Sequence, residues 1–187
     1  QIVALGDVFQ DRLDQCRAQL KKQKNVDIAD DKCFTGFDSY QKVIESGVDL
    51  VLLCTPPHFR PEHIEAAVNA GKHIFLEKPC AVDPVGARRV LVSVERAKQL
   101  GLCMVSGTIR RVQKDFMETR RRVMNGEIGE IVSAHIIRNG GGLWVISRKP
   151  GWTDMEYMLR NWANFCWLSG DHIVEQFIHE IDVMNWY

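Results

Sequence analysis

The chain has no excess of either charge: 24 basic residues stand against 24 acidic ones in a length of 187. Nucleic acids and anionic membranes are bound through clustered positive charge, so this balance argues against both as the main partner. No apolar run is long enough to span a bilayer. Internal repeats and low-complexity segments are also lacking. The six cysteines, Cys16, Cys33, Cys54, Cys80, Cys103 and Cys166, form no C-x-x-C pair and no zinc-like spacing, so no metal centre is expected. Cys54 and Cys103 fall inside apolar strand patterns, where a thiol behaves as a small hydrophobe. Reduced structural thiols point to a cytoplasmic location. No secretory leader is visible, but Gln1 is not an initiator methionine and the chain opens directly in a strand pattern. A missing or processed N-terminus, with an export signal, therefore stays open. What is present is the composition of an ordinary globular protein, 45% hydrophobic and 26% charged, sufficient for one large domain or two small ones.

Strand and helix patterns alternate along the first part. Residues 2–7 read as a strand ending in Asp7, and 10–24 as a polar helix. Residues 43–46 close a short helix. Residues 49–54 then form a continuous apolar run, the pattern of a parallel strand covered on both faces. A helix over 61–70 has Pro61 near its start and Gly71 just past its end, the expected asymmetry. Residues 73–76 are the next strand. Asp83 and Pro84 open a helix that runs to Gln99 and is closed by Gly101, and 102–106 form a further strand. This rhythm with short loops predicts a doubly wound parallel sheet.

The pattern changes near residues 108–113, which mark a domain boundary and give expected domains of 1–110 and 111–187. Beyond it lie a charged helix over 114–125, an alternating strand pattern over 131–138, a break at Gly140, Gly141 and Gly142, and a stretch rich in Trp, Asn and Arg. Residues 172–186 read as an apolar-faced helix. The three glycines lack a strand-to-helix context and read as a flexible loop, not a phosphate cradle. Arg120, Arg121 and Arg122 read as a solvated helix face.

Residues 70–79, Ala-Gly-Lys-His-Ile-Phe-Leu-Glu-Lys-Pro, are the most informative stretch. They set Glu77 and Lys78 at the carboxyl end of an apolar strand, where ligands sit in an open α/β sheet. Lys78 precedes Pro79, which pushes its backbone toward extended geometry, so Glu77 and Lys78 leave the strand on opposite sides. A lysine held in a cleft can give or take a proton. The alternative is an ion pair at a strand end.

Four segments, in order, resemble the glucose–fructose oxidoreductase/inositol 2-dehydrogenase (Gfo/Idh/MocA) family. They are Cys54-Thr55-Pro56 after its apolar strand, and Ala66-Ala67-Val68-Asn69-Ala70-Gly71-Lys72-His73 running into Glu77-Lys78-Pro79. The other two are Asn125-Gly126-Glu127-Ile128-Gly129-Glu130-Ile131 and Glu175-Gln176-Phe177-Ile178-His179-Glu180-Ile181-Asp182. The resemblance implies a nicotinamide-dependent oxidoreductase. Its Rossmann-like domain would be followed by the start of an α/β substrate domain with a mostly antiparallel sheet. One departure is plain: the family's G-x-G-x-x-G turn, which cradles the dinucleotide pyrophosphate at a helix N-terminus, lies nowhere in these residues. The first strand here resembles the family's second. The expectation is a fragment lacking the first βα unit and the C-terminal part.

The resemblance also implies roles. Asp7 would accept hydrogen bonds from the adenosine ribose and repel a 2′-phosphate, favouring NAD over NADP; otherwise it is a turn residue. Cys54, Thr55, Pro56, Glu77 and Lys78 would complete the cofactor-binding set. Arg60, where many relatives carry histidine, either touches the adenosine portion or is a solvated loop charge. His179 would shuttle the substrate hydroxyl proton, a role suited to a group that titrates near neutrality. Lys78 would hold the same oxygen, and a cis Lys78–Pro79 bond is implied. Glu175, one methylene longer than the more common Asp, would orient His179 or bind a second hydroxyl. Helical spacing sets Glu175, His179 and Asp182 near one face. Arg110, Arg160, Asn161, Trp162, Trp167 and Asp182 are candidate contacts for a polyol, or else the tryptophans pack a sheet. Asp171 and His172 read as structural or substrate-rim residues.

Three functions remain in view. The leading one is hydride transfer between a sugar, inositol or related polyol and NAD. The second is glycoside cleavage by oxidation and elimination on the same fold. The third is a non-catalytic dinucleotide-binding protein, which the presence of both Lys78 and His179 disfavours. The expected partner is a small-molecule substrate, with no nucleic acid or membrane, in a homo-oligomer of the full-length protein.

Overall fold

The computed structural model describes residues 1–187. The chain divides into two compact units. The first holds Gln1–Thr55, Phe59–Leu76 and Arg88–Val105, and the second holds Pro56–His58, Glu77–Ala87 and Ser106–Tyr187.

In the first unit, β1 (Leu5–Asp7), α1 (Gln10–Lys24), β2 (Cys33–Thr35), α2 (Ser39–Glu45), β3 (Leu50–Leu53), α3 (Arg60–Asn69) and β4 (His73–Leu76) alternate as strands and helices, β2 being a short strand that the sequence pattern did not reveal. α4 (Pro84–Gln99) and β5 (Met104–Ser106) complete the series. Asp83 Oδ1 accepts from the Gly86 N–H at 2.7 Å, so the acid caps α4 as its position suggests. β1 and β2 pair in parallel, Leu5 opposite Cys33. β3 and β4 pair in parallel from Leu50–His73 to Leu53–Leu76, and β5 lies beside β4. The strands therefore form two separate sheets, of two and three strands.

β3 corrects one expectation. Val51 and Leu53 are buried, whereas Leu50 and Leu52 are 49% and 56% exposed. One face of the strand is covered and the other is open. The covered face is explained by α3, whose Ile64, Ala67 and Val68 are completely buried, next to β3 and β4. Cys54 and Cys103 are likewise exposed, not core thiols, because each lies just outside its strand.

The second unit is helical. It contains α5 (Lys114–Met124), α6 (Asp154–Arg160), α7 (Cys166–Ser169), a π-helical turn over His172–Gln176, and α8 (Ile178–Trp186). Thr153 caps α6 by accepting from the Glu156 N–H at 3.1 Å. The expected strand over 131–138 is not formed, and no antiparallel sheet follows it. A strand needs a neighbour for its N–H and C=O groups, and no other strand pairs with this segment. Its apolar residues stay open, with Val132 89% exposed. No helix is long and apolar enough to cross a membrane.

Candidate functional site

In the first unit, the polar residues of interest stand where strands end. Asp7 is the last residue of β1, and its Oδ1 accepts from the Phe9 N–H at 2.8 Å. The carboxylate is thereby oriented as in a turn. Thr55 follows β3, and its Oγ1 lies 3.2 Å from His63 Nδ1. Cys54 is exposed beside it. Arg60 is buried, only 3% exposed at the start of α3. It is not a solvated loop charge.

In the second unit, the Lys78–Pro79 bond is cis, as the resemblance implied. The Lys78 ammonium donates to Glu175 Oε1 at 2.7 Å and to the Glu175 carbonyl oxygen. Both side chains are largely shielded. Glu77 packs close to Gly107: a Cβ there would stand 2.8 Å from Glu77 Oε2, so a side chain at 107 would displace the carboxylate.

Glu175 lies within the π turn, closed by the Phe177 N–H donating to the His172 carbonyl at 2.8 Å. Asp171, just before it, has φ 61° and ψ −171°, a region occupied almost only by glycine. Its strain is held by two bonds: Oδ1 accepts from the His172 N–H at 2.6 Å, and its own N–H donates to Ser169 Oγ at 3.0 Å. Gly170, at φ 77°, packs so tightly that a Cβ would meet Val174 at 2.6 Å. Strained backbone of this kind gathers at functional sites and π-bulges.

Burial first, and then the positive charges of Lys78, Arg110 and Arg138, hold His179 below the ordinary imidazole range, with Glu180 acting in the opposite sense. These surroundings favour the neutral form of the ring. Glu175 Oε1 pairs with Lys78. The π turn also alters the expected face. Glu180 is 8% exposed and held by Arg110 at 2.6 Å and Arg138 at 3.1 Å. Arg138 also donates to Gln176 Oε1 at 2.9 Å. Asp182 pairs instead with Arg111, whose Nε lies 2.9 Å from both carboxylate oxygens.

Several substrate candidates have partners within the unit. Arg110 serves Glu180 and lies over the Phe116 ring at 5.1 Å. Asp182 is neutralised by Arg111. Arg160 binds Glu156 at 2.9 Å and stacks on Trp152 at 4.7 Å. Asn161 is 1% exposed; its amide accepts from the Ile146 N–H and donates to the Ile146 and Tyr157 carbonyls. It is a buried brace for irregular backbone, with no surface for a ligand. Trp162 packs edge-on against Trp144 at 6.3 Å, and Trp167 against His58 at 5.1 Å. A cavity of about 90 Å³ is lined by Arg138, Gly140, Asp171, His172, Glu175 and Gln176, among others. Glu180, Arg138 and His63 were missed in the sequence. Only the adjacency of Glu180 to His179 could have drawn attention to the first.

The comparisons with known proteins agree with this picture. The profile of the oxidoreductase family with an NAD-binding Rossmann fold (Gfo/Idh/MocA) matches residues 3–106. The myo-inositol 2-dehydrogenase of Thermotoga maritima is 25% identical over 185 residues, covering 99% of this chain and 46% of that protein. The D-glucoside 3-dehydrogenase of Escherichia coli is 30% identical over 154 residues, covering 81% of this chain and 38% of that protein. The chain thus spans less than half the length of these relatives. A crystal structure of scyllo-inositol dehydrogenase from Lactobacillus casei, with NAD(H) and scyllo-inositol bound, shares the fold. Its TM-score is 0.67 at 24% identity, covering 100% of this chain and 48% of the other. With the profile matching more than half of its residues, the chain belongs to the Gfo/Idh/MocA oxidoreductase family, whose Rossmann fold binds NAD.

Proposed function

We propose that the protein is an NAD-dependent dehydrogenase that moves hydride between a hydroxyl-bearing carbon of a sugar, inositol or related polyol and the nicotinamide. The observation that carries this reading is the Lys78 ammonium seated on Glu175, within the electrostatic reach of His179. An acid and a base are thereby kept in one unit.

The residues present fit part of a dinucleotide. Asp7, oriented by the Phe9 N–H, suits the hydroxyls of an adenosine ribose and disfavours a 2′-phosphate. Thr55 and Cys54 follow at the end of β3, and Pro56, Glu77 and Lys78 complete the set. When bound, the nicotinamide supplies the hydride acceptor. His179 takes the proton of the substrate hydroxyl through its ring nitrogen. Lys78 holds the same oxygen by hydrogen bonding and charge, and Glu175 keeps the ammonium in place. A neutral His179 is in the state needed for oxidation.

The test is NAD reduction by the full-length protein against a panel of sugars and inositols. Net NADH formation is expected, with NAD preferred to NADP, and Asp7→Ser should narrow that preference. His179→Ala should lower turnover by about 10²–10⁴-fold with little change in NAD binding. Unchanged turnover in His179→Ala would remove the reading. Product formed without net NADH would replace it with the oxidation–elimination cycle.

A further inference from the structure

His63, on α3, lies outside everything assigned so far. Its ring stacks on Tyr40 with centroids 4.0 Å apart and planes 24° from parallel, and its neighbour one turn back, Phe59, lies near-parallel at 6.2 Å. Tyr40 is itself tied down: its hydroxyl donates to Glu62 Oε1 at 2.9 Å and accepts from Gln41 Nε2 at 3.0 Å. The imidazole is 7% exposed, and the polar contact it makes with a side chain is Nδ1 to Thr55 Oγ1 at 3.2 Å. A threonine hydroxyl carries one donor and two acceptor sites, and its hydrogen turns to suit whatever is near. Here one of those sites is held by a ring that cannot move.

We propose that His63 is a positioning residue for Thr55: the packed imidazole fixes the Thr55 hydroxyl at the carboxyl end of β3, so that its remaining hydrogen-bonding sites are presented ready-aimed to the bound nicotinamide dinucleotide. The proposal rests on the reading of this unit as the NAD site. The chain from Glu62 through Tyr40 and His63 to Thr55 lies within the first unit. Each link removes a freedom from the next. Prior ordering of a contact group is gained as affinity, because binding no longer has to order it.

The experiment is a double-mutant cycle on NAD binding by calorimetry, with Asp7→Ala as reference. His63→Phe keeps a ring of similar size against Tyr40 but cannot hold the hydroxyl. Thr55→Val keeps the shape and removes the hydroxyl. Each should weaken NAD binding about five- to tenfold, the loss of one ordinary hydrogen bond. The double variant should be no weaker than Thr55→Val alone, because both changes act on one group. His63→Phe with Asp7→Ala should multiply. In the unmodified protein, the His63 ring nitrogen resonances should shift when NAD is added, a readout that survives if a variant fails to fold. All these measurements use the full-length protein; if it does not bind NAD, the functional reading falls and takes the proposal with it. If it binds but His63→Phe binds equally well, or the His63 and Thr55 losses multiply, or the ring resonances stay fixed, the proposal alone is overturned.

Discussion

Mild acid should loosen the first unit through a single side chain. Burial is the main reason that His63 titrates near 4 instead of 6.5; the Glu62 carboxylate opposes the shift and the Arg60 charge reinforces it. The folded imidazole is therefore neutral where the unfolded one is already charged. Above pH 6.5 neither state carries the proton, and the stability contributed by the neutral ring is fully present. As pH falls from 6.5 toward 4, the unfolded chain takes up a proton that the folded chain refuses, and that stability drains away. At about 1.4 kcal/mol per unit of pH at full slope, the loss between pH 7 and pH 4.5 comes to about 2 kcal/mol, or roughly a 30-fold fall in protection. Asp27, Asp38 and Glu118 are all held below their usual range by hydrogen bonds from neighbouring cations, so their contributions fade only at lower pH. His179 is also depressed but lies in the other unit. Amide hydrogen exchange at β3 and α3, corrected for intrinsic rates, reads the effect locally. The unmodified protein should lose protection as stated, and His63→Phe should show a flat profile between the two pH values. Equal protection at pH 7 and 4.5 in the unmodified protein, or the same fall in His63→Phe, would refute the argument.

How much could be read from the sequence depended on whether one element or several had to be known. α1 and β4 occupy the residues expected for them, 10–24 and 73–76, because local composition and pattern suffice to define them. The uniform run of β3 concealed its one-sided burial, since apolar residues look alike whether or not a helix lies over them. Strand alternation over 131–138 was visible, but pairing depends on a partner and none is paired there. Lys78 and Glu175 were both named, yet their pairing across 97 residues is invisible to spacing rules. The face shared by Glu175, His179 and Asp182 assumed unbroken α-helical periodicity. A π turn over His172–Gln176 interrupts that periodicity, and Glu180 is buried as well as Glu175. Asn161 shows a different limit: the amide that would suit a polyol also satisfies a backbone N–H and carbonyl, and burial alone decides which.

Three further perturbations follow from packing in the second unit. Asn161→Leu leaves the Ile146 N–H without its 2.6 Å partner and should cost about 1–3 kcal/mol, read as a lower unfolding midpoint in urea. Gly107→Ala sets a methyl against Glu77 Oε2 at 2.8 Å, a contact the carboxylate can relieve by moving, so the cost should stay below about 1 kcal/mol; a Gly107→Ala/Glu77→Ala double variant should recover it, and no recovery would point to backbone strain instead. The last concerns the Lys78–Glu175 pair, whose side chains are 15% and 10% exposed. Removing one partner strands a charge that the fold has already taken out of water, so Lys78→Met or Glu175→Leu alone should each cost about 3–5 kcal/mol. Removing both leaves no stranded charge, and an apolar pair of similar volume can be nearly neutral. Tryptophan fluorescence during urea unfolding is the right readout, because Trp144, Trp152, Trp162, Trp167 and Trp186 all lie in this unit. The double variant should regain most of the lost stability while remaining without turnover. Recovery of stability without recovery of activity would separate the pair's structural cost from its chemistry, whereas single-variant losses that simply add would mean that the two charges do not depend on each other.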